Sequence, residues 1–171
     1  MSRSAEGGFK GNEAMGRNVV RKEQGAPTKR DDLYSWAVRQ AELLRAGRLT
    51  EIDAVAIAEE IDDVGEEQYD KLENALRVLM LHLLKWDHQP AMRSRSGTLT
   101  VREQRRRAER HLRKNKGLKS QVDEALEAAY EDGRLEAASE TGLPLSVFPV
   151  QRPFEYADIM QRSIVWPCDE V

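Results

Sequence analysis

Apolar positions in this chain recur with the period of helices. Leu33, Trp36, Ala37, Leu43 and Leu44, with Gln40 as a polar member, fall at i, i+3, i+4 and i+7 spacing and predict an amphipathic helix. Asp31 or Asp32 can cap its start, and Gly47 can end it. Thr50 followed by Asp53 has the spacing of a capping box, so a second helix is expected from there, with Val55, Ile57, Ala58, Ile61 and Val64 on its apolar face. Continued without interruption to Trp86 it would be roughly 50 Å long at 1.5 Å per residue, so a break or bend is expected near Gly65.

The next segment is apolar on most sides. Leu72, Leu76, Leu79, Met80, Leu83 and Trp86 share one face, and Val78, Leu81 and Leu84 cover much of the other. A helix of that kind belongs in the middle of a bundle, so a central helix is predicted over about Glu67–Asp87, ended by Gln89-Pro90. Ala91 to Gly97 reads as a loop. A fourth helix, from Thr98 or Thr100 to Lys114, has only Val101, Ala108 and Leu112 as an apolar seam. A fifth, from Leu118 to about Ser139, turns Val122, Ala125, Leu126, Ala129 and Tyr130 inward and stops at Gly142 and Pro144. Beyond it Val147, Phe148, Phe154, Tyr156, Ile159 and Met160 serve as anchors, with a short helix near Phe154 to Arg162. No segment alternates with period two, so no sheet is expected. The fold class is all-α, a helical bundle of five to six helices. Residues 1–30, with five glycines and no periodic apolar set, read as a flexible tail; residues 31–167 form the helical domain, and 168–171 a C-terminal tail.

Composition narrows the classes. The chain has 171 residues, enough for a core without disulfides or metal. Charged residues make up 33% and aromatics 6%, so the core rests on aliphatic side chains. Cys168 is the single cysteine, which removes disulfide frameworks and cysteine-based zinc sites within one chain and fits a reducing compartment. No apolar run approaches the length of about 20 residues that crosses a bilayer, and no signal peptide is visible. The expected location is cytoplasmic, with no membrane partner.

The formal net charge of -3 hides a strong segregation. From Glu51 to Asn74 ten acids face Lys71 alone; from Lys85 to Lys119 twelve Lys or Arg face Asp87, Glu103 and Glu109; from Gln121 to Glu140 only Arg134 is basic. Internal ion pairing between these segments is the first account of the pattern.

With these elements placed, the chain resembles the bacterial domain-of-unknown-function family twenty-nine, frequent in cyanobacteria and proteobacteria. The resemblance runs from about Asp32 to Pro167. It is carried by Leu33-Tyr34 with Trp36, by Ala41 to Gly47, and by Ala58-Glu59-Glu60-Ile61 with Gly65. Leu81-His82-Leu83-Leu84-Lys85-Trp86 with Gln89-Pro90 is its most specific part. Arg93 to Ser96, Arg102 to Arg106, Glu140 to Pro144 and Phe148-Pro149 complete it. It implies a small, cytoplasmic, helical bacterial protein. It supplies no catalytic residues.

No constellation of side chains points to catalysis or to a cofactor. His82 lies in the apolar helix, His88 at its end, where a cationic ring suits the helix dipole, and His111 among arginines that disfavour its protonation. Their spacing is not that of metal ligands. Glu59, Glu60, Asp62, Asp63, Glu66 and Glu67 could hold a hard cation only if several converged, and one helix spreads them around its solvent side. P-loop, dinucleotide and nucleophile-elbow motifs are missing, so no catalytic, cofactor-binding or metal-ligating residues are expected.

The basic segment is the functional candidate. Arg102, Arg105, Arg106, Arg110 and Arg113 form a cationic helix face, which Arg93 and Arg95 extend through the loop. Met92 to Lys119 contains no Phe, Tyr or Trp, which removes a base-stacking platform and leaves backbone contact as the only nucleic-acid mode. The leading expectation is a protein-interaction module, monomeric or a small homo-oligomer, whose arginines meet an acidic protein partner. Sequence-independent binding to DNA or RNA is the runner-up, and a carboxylate-based metal enzyme the third.

Overall fold

The computed structural model describes residue 25 and residues 27–166. Most of the expected N-terminal tail, and Cys168 with the C-terminal tail, lie outside the described residues. Five α-helices follow one another: α1 (Leu33–Arg45), α2 (Ala54–His88), α3 (Arg95–Lys114), α4 (Val122–Thr141) and α5 (Tyr156–Gln161). Short 3-10 turns occupy Pro90–Met92, Lys116–Gln121 and Leu145–Val147, and the described residues contain no strand. The chain divides into two compact units, one up to Asp53 and one from Ala54 onward.

In the first unit α1 is closed at both ends by its own sequence. Asp32 is in extended geometry at the N-cap and accepts from the Ser35 amide at 3.0 Å. At the other end Gly47, with φ of 69°, turns the chain so that the Arg48 amide donates to Leu43 O. The expected capping box at Thr50 does not form. Gln40 is buried in α1, and its Oε1 accepts from the Asp53 amide at 2.9 Å, the donor that a Thr50 cap would need. Residues 49–52 are therefore turn and bend.

The second unit is organised by α2. It has 35 residues and no break at Gly65, contrary to the expectation from sequence. A helical glycine costs about 1 kcal/mol relative to alanine, which the flanking turns can absorb. Burial is uneven along it: up to Lys71 only Ala56 is buried, whereas Leu72, Leu76, Leu79, Met80, Leu83 and Leu84 are fully enclosed. The predicted central helix is thus the second part of a longer one.

Helices α3 and α4 both pack on that enclosed part of α2. Contact with α4 is close because Ala125, Ala129, Gly133 and Ala137 put small residues on one buried stripe at i, i+4 spacing. A Cβ on Gly133 would lie 3.0 Å from Arg77 O and from Met80 Cβ. Two ion pairs border this seam, Arg77 with Glu136 and Lys85 with Glu140. After Gly142, which ends α4 at φ of 69°, the chain returns irregularly and is pinned by α4 side chains. Tyr130 Oη donates to Pro149 O at 2.6 Å, and Arg134 donates to Phe148 O and Leu145 O, both at 3.1 Å. Phe148, Phe154 and Ile159 join the core as expected; Val147 is exposed.

Helix α3 starts earlier than the sequence suggested. Ser94 caps it by accepting from the Gly97 amide at 3.2 Å, so Arg95, Ser96 and Gly97 belong to the helix and not to a loop. Its buried seam is Thr98, Val101, Gln104, Ala108 and Leu112, two positions wider than the apolar residues alone indicate.

Candidate functional site

The seven candidate arginines separate into two groups. Arg93 Nε donates to Trp86 O at 2.9 Å, and its guanidinium lies 4.6 Å from the Trp86 ring centroid. It closes the C-terminus of α2, where a cation complements the helix dipole. Arg95 opens α3 and has an interaction partner. Arg105 is half-buried: its Nε donates to Ile159 O at 2.7 Å, and its Nη2 is buried without a hydrogen-bond partner. Burial, and then the neighbouring Arg162, lower its pKa from the ordinary guanidinium value. Arg93 and Arg105 are thus built into the fold, and Arg95, although exposed, is already engaged.

Arg102, Arg106, Arg110 and Arg113 are different. They are exposed, and among the described residues none makes an ion pair. At 100° per residue they occupy one face of α3, about 16 Å long from the first to the last. Arg107 lies beside this face and pairs with Glu103 on the same helix at 2.8 Å.

The internal ion-pair account of the charge segregation therefore fails for these four residues. Three acids of α4 are used elsewhere: Glu136 and Glu140 bind α2, and Glu127 accepts from Arg152 Nε at 2.9 Å. Asp87, at the end of α2, holds Arg162 through both guanidinium nitrogens, one at 2.8 Å, and raises its pKa. Further cations that close the fold are Arg77, Lys85, Arg134, Arg152 and Arg162, none of which the sequence marked as a candidate site residue. They lie singly among acids and apolar residues, so only their neighbours in space reveal their use.

The histidines have structural surroundings. His82 is half-buried, and burial, then Lys85, lower its pKa. His111 shifts the same way, first through burial and then through Lys71, Arg110, Lys114 and Arg107, as its position among cations suggested. His88 meets the Phe148 ring edge-on at 5.1 Å between centroids. Among the described residues no three His, Cys, Asp or Glu side chains converge on a possible metal position, and no helix is long and apolar enough to cross a membrane.

A cleft of about 520 Å³ adjoins the arginine face. It lies between α3 and residues 160–166 and is lined by Leu99, Arg102, Arg105, Arg106, Arg162 and Trp166, among others. A smaller cavity of about 150 Å³ lies at the His82 side of α3, with Trp86, Arg93, Ser94 and Ser96 in its wall.

Comparison with curated proteins and with solved structures gives no significant match. The sequence profile of one family, described as Domain of unknown function DUF29, matches residues 30–165. That span takes in α1 to α5, the arginine face and the lining of the cleft beside it except Trp166, and the chain belongs to the DUF29 family.

Proposed function

We propose that this protein is an interaction module that binds an acidic protein partner through the exposed face of α3. The observation that carries this reading is the ion-pair economy of the second unit. Glu136, Glu140, Glu127 and Asp87 are matched by Arg77, Lys85, Arg152 and Arg162, while Arg102, Arg106, Arg110 and Arg113 have no ion pair among the described residues. Four guanidinium groups held on one helix repel one another and are relieved by an acidic surface brought to them. Leu99, half-exposed on the same face, adds an apolar contact.

Helix α3 itself carries no aromatic side chain on which bases stack, and Trp166, across the cleft, and Tyr156, near Arg113, are the aromatics that border its face. Reversal of charge in Arg106→Glu, Arg110→Glu and Arg113→Glu tests the reading. Because all three side chains are exposed, the variant keeps the thermal unfolding profile of the wild type and loses partner recovery from cell extract. Recovery equal to wild type overturns the reading. Anisotropy of labelled duplex DNA and RNA over a salt series separates the alternative. Tight binding that weakens steeply with salt and disappears in the variant would replace the protein partner by nucleic acid.

A further inference from the structure

The cleft between α3 and residues 160–166 has features that a flat cationic face does not need. Its α3 wall carries Arg102, Arg105 and Arg106 against one acid, Glu109. Arg162, also in the lining, is already neutralised by Asp87. Arg105 is held in place by its bond to Ile159 O, yet its Nη2 is buried with no acceptor. Nη2 itself is closed to solvent, so what Arg105 offers the cleft is a fixed positive charge between the exposed Arg102 and Arg106. The opposite wall is mixed: Met160, Ile164, Val165 and Trp166 supply apolar surface among Gln161, Arg162 and Ser163, and Leu99 stands at the α3 side. At about 520 Å³ the space falls within the range of small-ligand pockets, roughly 300–1,000 Å³.

We infer that this cleft is a carboxylate-binding pocket: it takes an acid group carried on an apolar body, with Arg105 and the flanking Arg102 and Arg106 on the carboxylate and Trp166 with Ile164 on the apolar part. Resting on the reading of α3 as a surface for an acidic partner, the pocket is where one acidic side chain of that partner and its apolar neighbour are anchored. Long-range attraction belongs to the exposed face, and selectivity belongs to the pocket. Asp and Glu next to a large apolar residue meet both walls; an isolated acid meets only one.

The test is a titration of the full chain followed by the indole N–H resonance of Trp166, assigned with Trp166→Phe. The probes are hexanoate, a short peptide with glutamate beside leucine, the same peptide with glutamine, and inorganic phosphate. Hexanoate and the glutamate peptide are expected to move the Trp166 signal to saturation, and the glutamine peptide to leave it in place. A response to hexanoate alone assigns the pocket to a free organic acid, and a response to both assigns it to a partner side chain. Arg105→Lys, which keeps the charge but loses the planar fork, should weaken binding about tenfold. Leu99→Glu places the chain's own carboxylate at an exposed wall position without disturbing Arg105, and should abolish binding.

An unmoved Trp166 signal overturns the inference, as does wild-type binding in both variants. Phosphate binding more tightly than hexanoate also overturns it, because charge without an apolar body would then suffice. Loss of partner recovery in the Arg106, Arg110 and Arg113 variant is read separately, so the pocket and the partner surface can fail independently.

Discussion

The two parts of α2 are one unbroken helix and differ in almost everything else. From Ala54 to Lys71 it is acidic, and Val55, Ile61 and Val64 are more than 60% exposed, at 72%, 65% and 61%. From Leu72 to His88 it is enclosed by α3 and α4. Continuity of backbone and continuity of burial are therefore separate properties. The first follows from local helix propensity, which Gly65 weakens without overcoming. The second depends on how far the neighbouring helices reach.

The largest test of this contrast is truncation of equivalent apolar residues. Leu79→Ala empties a fully enclosed site and should cost about 2–5 kcal/mol in urea unfolding, whereas Ile61→Ala should stay within about 0.5 kcal/mol. Equal costs would mean that the first part is as well packed as the second. Two of the helical glycines of the second unit, Gly133 and Gly65, make the next comparison. Gly133→Ala forces a Cβ against Arg77 O and Met80 and should destabilise by about 1–3 kcal/mol. Gly65→Ala meets nothing within 4 Å and should stabilise by about 0.5–1 kcal/mol, seen as a higher urea midpoint. Destabilisation by Gly65→Ala would contradict the continuous helix.

A smaller effect separates the parts by pH. His82 and His111 contact the enclosed part or its neighbours, and both have pKa values lowered in the folded state. The unfolded chain therefore binds more protons than the folded one as pH falls below the ordinary imidazole range, so stability declines there and is regained on raising the pH. His82→Gln should flatten that slope in thermal unfolding. A slope unchanged in the variant assigns it to other groups. Smallest of all, neutralising Glu140 removes a partly exposed pair with Lys85 and should cost no more than about 1 kcal/mol.

What could be read in the sequence follows the range of the interactions. Asp32, Gly47 and Gly142 act on residues a few positions away, and each does what its type and place predicted. The apolar run from Leu72 to Leu84 also announced its own burial. Thr50 misled because the amide it would cap is taken by Gln40, 13 residues earlier. Arg95 to Gly97 looked like a loop because composition outweighed the cap at Ser94. At the candidate site, the exposed members of the arginine face were legible from helical spacing. The diversion of Arg93 to Trp86 and of Arg105 to Ile159 was not, since these partners are set by the fold. Gly133 was missed although a signal existed: it continues the small-residue spacing of Ala125, Ala129 and Ala137.

That stripe has a consequence for how the helix pair finds its alignment. Gly133 sits where the α2 backbone leaves no space for a Cβ. Sliding α4 by one turn, about 5.4 Å, would bring the methyl group of Ala129 or Ala137 to the same spot. The missing side chain thus works as a keyway: the two helices interlock at one setting. Only at that setting do Glu136 and Glu140 fall opposite Arg77 and Lys85. The charges then report an alignment that a single hydrogen atom, in place of a methyl, has already selected.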